Sequence, residues 1–417
     1  MEALLLSWEV MQIKQIALLW FITISLYSCS GPTALQSIED VSMLKPEEFA
    51  IFPWGRTPGD PNVLKEIREC GFNLAGFVEP EHLDLVSEAG LKCIVSDKST
   101  HVSDAVAQLD ENEISRRVEA LLERVGQHKA VFGYFLCDEP GTRLYPGLKK
   151  WMEAYRKIDP KALAYINLLP NYTTPAKMNV PTYAEYLGSY VDTVQPKLIS
   201  YDHYALMEDG SLRDGYFQNL EAVRSESLRS GLPFWNVVLS NAHNNYADPT
   251  EAGLRFQLYT TLAYGARGIG YFTYFTPNGQ FRSAPIDKFG HKTRTWDMLR
   301  SVNLQAHRLG QVYVKLRSVN VFHHPDVPQG CSGLETSRFI ARVGGGSLLV
   351  GEFEGPGGQP FVIVVNKSLQ HAIDLNIKFK DAGQIQQVNA NKGQIEPWGY
   401  ESNRLAAGQG LLLFLKQ

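Results

Sequence analysis

A chain of 417 residues, 44% hydrophobic and 20% charged, has room for one large domain plus a smaller one and is neither low-complexity nor disordered in composition. Its net charge of −4 supplies no basic field, which excludes nucleic acid as a partner. An aromatic content of 11%, with 7 Trp and 19 Tyr, offers flat apolar faces with polar edges, suited to stacking on sugar rings as well as to filling cores.

Residues 1–30 read as a signal peptide. Lys14 precedes an apolar run from Ile16 to Tyr27 that is short for a membrane span and right for a signal core. The run ends in Leu26-Tyr27-Ser28-Cys29-Ser30-Gly31, which is similar to a bacterial lipobox with Tyr27 in place of the usual small residue. Cys29 is therefore expected to carry a lipid that anchors the protein in the bacterial envelope, at the outer membrane or in the periplasm, as its sole membrane contact. A plain secretory signal is the alternative. Residues 31–44 read as a linker. The remaining cysteines, Cys70, Cys93, Cys137 and Cys331, show no CxxC spacing and are expected as small buried hydrophobes, not as a disulfide framework or a zinc site.

From there strand and helix signals alternate. Phe49–Gly55 reads as a first strand; Asp60 then caps a helix with Pro61 at its first position, and Gly71 ends it. Further strands are predicted at Phe72–Val78, Lys92–Asp97, Val131–Cys137, Leu163–Leu169, Leu198–Tyr204, Phe234–Ser240 and Gly268–Phe275. Amphipathic segments such as Asn112–Gln127, Tyr145–Ile158 and Phe217–Ser230 lie between them. Strand-helix units repeated in this way over residues 45–316 predict an α/β fold of the (β/α)₈ barrel type. A doubly wound open sheet would carry a glycine-rich fingerprint after its first strand, and none is present. After a last helix at Thr295–Val314 the period changes to two, in Phe339–Val343, Ser347–Phe353, Pro360–Asn366, Ala372–Phe379 and Gly410–Leu415. That predicts a small antiparallel β-sandwich over 317–417 with an edge packed on the barrel.

Ligands of parallel α/β proteins bind where the strands end, because the following loops surround one open face. The strand ends here are rich in polar and aromatic residues. They present Trp54, then Glu79, Asp97, the pair Asp138 and Glu139, Asn167, the run Asp202-His203-Tyr204, Asn241 with His243, and finally Tyr271 with Tyr274. Alternation allows only one of Asp138 and Glu139 to face inward from a regular strand, so the other must leave the ladder. A helix-capping role for one of the two acids is the plainer alternative.

The segment Tyr134-Phe135-Leu136-Cys137-Asp138-Glu139-Pro140 resembles the Asn-Glu-Pro segment on the fourth strand of clan A glycoside hydrolases. Tyr264-Gly265-Ala266-Arg267-Gly268-Ile269-Gly270-Tyr271-Phe272-Thr273-Tyr274-Phe275 is similar to the eighth segment of glycoside hydrolases from Bacteroides-type bacteria and, more distantly, of family 42 β-galactosidases. The resemblance spans roughly residues 45–316. It implies a carbohydrate substrate, no cofactor, Glu139 as general acid/base, and Asp138 in place of the Asn that meets the sugar 2-hydroxyl. The clan's nucleophile is a Glu ending the seventh strand, whereas Phe234 to His243 holds no acid. Glu251, in Asp248-Pro249-Thr250-Glu251, reads as a helix-start residue. Asp202, across the barrel from the fourth strand, is the best substitute and the second catalytic expectation. Trp54, Asp97, Asp138, Asn167, His203, Tyr204, Asn241, His243, Tyr271 and Tyr274 are expected to contact substrate. No metal is expected, since His203 and His243 lack ligand spacing. A sugar-binding barrel without turnover, and a metal-dependent hydrolase or polysaccharide lyase on the same fold, remain open alternatives. Oligomeric state is not legible.

Overall fold

Strand β1 (Ala50–Pro53) opens a sheet that continues with β2 (Leu74–Val78), β3 (Lys92–Val95), β4 (Val131–Asp138), β5 (Leu163–Leu168), β6 (Ile199–Asp202), β7 (Phe234–Leu239) and β8 (Gly268–Phe272). The computed structural model describes residues 41–161, 163–399 and 403–416; the signal segment, Cys29 and the linker up to residue 40 lie outside them. All eight strands are parallel neighbours in the order β1-β8-β7-β6-β5-β4-β3-β2, and helices fill the connections. Between β1 and β2 the barrel closes through single bonds in place of a full ladder: Asn73 N to Ile51 O at 3.2 Å, Phe77 N to Gly55 O at 2.8 Å and Thr57 N to Phe77 O at 2.9 Å. Gly76 permits this approach, because a Cβ there would overlap the carbonyl oxygens of Gly55 and Pro53.

Side chains fill the barrel in layers. Phe52, Tyr165, Trp235 and Val237 pack inside, with Trp54, Phe77, Phe135 and Phe272 toward the C-terminal mouth. The opposite faces of the strands pack on the helices. Asp60 caps the first helix as expected, its side chain accepting from Asn62 N and Val63 N. Cys70, Cys93 and Cys137 are buried free thiols. No described helix is long and apolar enough to cross a membrane.

The C-terminal region is antiparallel. A six-stranded sheet runs Ile395–Pro397, Gln384–Val388, Gly410–Lys416, Pro360–Asn366, Leu348–Glu354, Arg317–His324, and a two-stranded one pairs Ile340–Gly344 with Asn376–Phe379. Alternation divides the strands of the large sheet cleanly. Leu348, Val350, Val362 and Val364 meet the small sheet, while Leu349, Phe353, Ile363 and Val365 join the barrel's outer core. The large sheet thus packs by its face, not by an edge as expected from the sequence. The reason is the helix Glu251–Ala263, which buries Leu254, Phe256, Leu258, Tyr259 and Leu262 around most of its circumference and so needs cover on both sides. Gly351 lies against this helix, where a Cβ would overlap the Ala263 carbonyl oxygen. Gly351→Ala is expected to cost about 1–3 kcal/mol by overpacking, read as a lowered denaturant midpoint. An unchanged midpoint would mean that the sheet does not bear on the helix there.

Candidate active site at the barrel mouth

Asp138 is the last residue of β4 and pairs in register with Asn167 of β5. Glu139 follows with φ 47°, a left-handed conformation that costs a non-glycine residue on the order of 1 kcal/mol and clusters at functional sites. This turn is how adjacent acids escape the alternation rule: Asp138 stays in the ladder and Glu139 swings out of it. The turn is anchored on both sides. Glu139 N donates to Asn167 O at 2.8 Å, and the buried Tyr186 hydroxyl donates to Pro140 O at 2.7 Å.

Asn167 ties the acids together. Its Nδ2 donates to Asp202 Oδ1 at 2.9 Å and reaches Asp138 Oδ1 at 3.3 Å. Its Oδ1 accepts from Ser200 Oγ at 3.1 Å, and that hydroxyl also meets Tyr165 OH at 2.9 Å. Residues of β4, β5 and β6 thus share one hydrogen-bonded chain. Glu139 meets Lys177, whose Nζ lies on Oε2; Lys177 is delivered by the short helix Pro175–Met178, capped by Thr174.

Burial and crowding set the charges. Asp202 is 3% exposed, and burial first, then the Glu139 and Asp138 charges, push its carboxyl well above the usual carboxylate range against the pull of Asn167 and Lys177. Asp138 touches solvent at the open mouth but is ringed by protein, and that crowding together with Glu139 raises it to about 6. The raised value means that ionising Asp138 opposes folding. Stability is greatest below its ordinary value of 3.8, falls as pH rises toward about 6, and is flat beyond. Asp138→Asn should therefore stabilise the protein at pH 8 and not at pH 4, by about 1 kcal/mol once solvent screening is allowed for. Thermal melts at the two pH values check this; an equal shift at both would remove the repulsion from the account.

Aromatic groups wall the mouth. Tyr204 stacks on Phe272 with centroids 5.6 Å apart, and Tyr246 stands edge-on to it at 5.7 Å. Trp54 packs on Phe77 and Phe272 at 5.0 and 5.7 Å. His243 stacks on Phe281 at 4.7 Å and meets Asn241 Oδ1 at 3.0 Å. These two residues stand where β7 ends, with no acid beside them. On the β1 to β4 side a cleft of about 460 Å³ is lined by Arg56, Phe77, Glu79, Asp97, His101 and Phe135. A cavity of about 540 Å³, lined by Phe132, Trp235, Arg267 and others, opens at the barrel's other end. It lies away from the carboxylates and is no part of the site.

Several expected contacts stand elsewhere or are already engaged. Tyr271 does not reach the mouth, and Tyr274 borders only a small pocket of about 170 Å³ beside Trp54. Phe272 takes the inward position, so alternation turns Tyr271 outward onto Phe72 at 6.0 Å. Tyr274 packs on Phe72 at 5.6 Å and accepts from Trp296 Nε1 at 3.0 Å. Asp97 caps the turn Lys98–Thr100 and pairs with Arg124 at 2.6 Å; burial raises it, but the Ser99 and Arg124 bonds outweigh that and hold it below its ordinary value. His203 is fully buried behind Tyr172 and Tyr216. Lys177, Tyr172, Arg213 and Tyr246, which the sequence reading did not single out, come from the loops after β5, β6 and β7.

Among the described residues one group has metal-ligand chemistry, Glu221 with His323 and Cys331. The Tyr264 hydroxyl sits on His323 Nε2 at 3.1 Å and Lys367 Nζ on Nδ1 at 3.4 Å. Both ring nitrogens are thereby engaged, and the group reads as a hydrogen-bonded seam between the helix Tyr216–Ser230 and the C-terminal sheet.

No family model and no curated protein matches the chain. Solved structures do. One described as a glycoside hydrolase is 12% identical over 91% of this chain and 98% of its own, with a TM-score of 0.57. A family 5 glycoside hydrolase from Bacteroides vulgatus is 13% identical over 88% of each chain, with a TM-score of 0.55. A β-galactosidase from the psychrophilic Marinomonas ef1 is 12% identical with a TM-score of 0.48; the match takes in 63% of this chain and spans 60% of that one. At such identities the likeness is one of fold: this chain has the barrel architecture of clan A-like glycoside hydrolases.

Proposed function

We propose that the chain hydrolyses glycosidic bonds of an oligo- or polysaccharide at the C-terminal mouth of its barrel, with Glu139 giving the proton that the departing glycosidic oxygen takes. The observation that carries this reading is the meeting of Asp138, Glu139 and Asp202 around Asn167. A glycosidic oxygen leaves poorly unless protonated, and attack at the anomeric carbon needs a second, ionised carboxylate. Asp138, titrating at about 6, is charged at neutral pH and faces the open mouth, so in this reading it draws the proton from the attacking water. Asp202, the second carboxylate expected from the sequence, is pushed toward its neutral form by burial and by the two neighbouring acids. It acts through Asn167, holding that side chain where it orients Asp138.

The ring-stacked walls supply what the acids lack, apolar faces for a pyranose. The Asn241 and His243 at the end of β7, where the resemblance would place a nucleophile, favour a second reading in which the mouth binds sugar without turning it over. Purified protein assayed on a glycan panel, with calorimetric binding in parallel, separates the two. Release of reducing ends supports hydrolysis; saturable binding with no product supports the second reading.

A further inference from the structure

Polar capacity is left unmet around Arg213, in the loop that follows β6. Its guanidinium lies between two tyrosine rings, 4.5 Å from the centroid of Tyr172 and 5.1 Å from that of Tyr246. Nη2 donates to the Tyr246 hydroxyl at 2.9 Å, while Nε is buried with no partner. Other arginines of the barrel, Arg56, Arg124, Arg229, Arg255 and Arg282, each meet a carboxylate. No described carboxylate meets Arg213. Edge-on to the Tyr172 ring, with centroids 5.0 Å apart, His203 is fully buried and both its ring nitrogens lack partners. Burial, and then Arg213, push this imidazole down to about 3, so it is neutral.

Buried polar groups in native proteins are nearly always paired, and a cluster of exceptions asks for an explanation. Contacts with the tyrosine faces satisfy the guanidinium's π surface but leave Nε, on its in-plane edge, without a partner. A planar cationic fork without an acid matches a carboxylate, which it can hold by two parallel bonds. Position supplies the rest: His203 follows Asp202 directly, and Tyr172 packs on the His203 ring.

We propose that Arg213, between Tyr172 and Tyr246, forms a subsite for the carboxylate of a uronic acid unit, an inference that rests on the reading of this mouth as a sugar site and names its substrate class. The test is calorimetry of glucuronate and galacturonate against glucose and galactose. It is run with the unaltered protein at low and high salt, and with Arg213→Gln and Arg213→Lys. Expected are uronate affinities at least about tenfold above those of the neutral sugars, falling with salt as a charge contact must. In Arg213→Gln the ratio of uronate to neutral-sugar affinity should fall by about that tenfold, and Arg213→Lys, which keeps the charge and loses the fork, should fall between. Equal binding of uronates and neutral sugars, or full uronate affinity in Arg213→Gln, would each overturn the proposal. Should either variant fail to fold, the salt series on the unaltered protein decides alone. Uronate binding in a protein that hydrolyses no glycoside would leave the subsite standing and remove the proposed turnover, so the two failures are distinguishable.

Discussion

Glu139→Gln is expected to lower turnover of an unactivated glycoside by about two to four orders of magnitude, the usual worth of a positioned general acid. Gln preserves size, and the anchors on the turn, Asn167 O and the Tyr186 bond to Pro140 O, are backbone contacts that the substitution does not touch. What it removes is the carboxyl that passes a proton to the leaving oxygen and meets Lys177 Nζ. Substrates whose leaving group departs without protonation should therefore lose far less. That split is the diagnostic part of the experiment. Equal losses on both substrate types would make Glu139 a binding or structural residue, and undiminished turnover would move the proton donor elsewhere.

The second large effect is expected at Asn167. Asn167→Ala removes the donor that Asp202 and Asp138 share and strips Ser200 Oγ of its acceptor. All but Asp138 are buried, and leaving buried polar groups unmet costs about 1–3 kcal/mol each. Stability should fall by about 2–4 kcal/mol, and turnover with it, because Asp138 is no longer oriented. Asp202→Asn makes the informative contrast. If Asp202 is neutral at pH 7, an isosteric amide changes little in charge, and activity there should survive within a few-fold. A loss from Asp202→Asn as large as that from Glu139→Gln would return Asp202 to the role of second catalytic carboxylate.

The barrel was legible because parallel strands buried on both faces appear as apolar runs between helical periods. Strand ends were less so. The eighth run was read through Phe275, but the ladder stops at Phe272, and the residues beyond turn away. Alternation puts Phe272 inside the barrel and Tyr271 outside it, just as it allows only one of Asp138 and Glu139 to stay in the ladder. In the C-terminal region the period-two pattern marked a sheet, yet nothing in its own strands told which surface they cover. That answer lay in the helix Glu251–Ala263, apolar around most of its circumference.

For the candidate site, Asp138, Glu139, Asn167 and Asp202 were visible as polar residues closing apolar strands. Their protonation was not, since it depends on how deeply each lies and on how near the others are. The left-handed turn at Glu139 carries no sequence mark, because no glycine or asparagine occupies it. Lys177, Tyr172 and Arg213 come from loops, whose paths follow no periodicity and are set by individual bonds such as Arg213 N to Ala205 O at 2.7 Å.

Mass spectrometry of the product formed in heavy-oxygen water tests the central claim most directly. Hydrolysis at this mouth predicts a new reducing sugar carrying one heavy oxygen at its anomeric carbon, formed by the unaltered protein and not by Glu139→Gln on the same substrate. An unsaturated sugar with no incorporated oxygen, or an unchanged glycan in the presence of saturating protein, would contradict it.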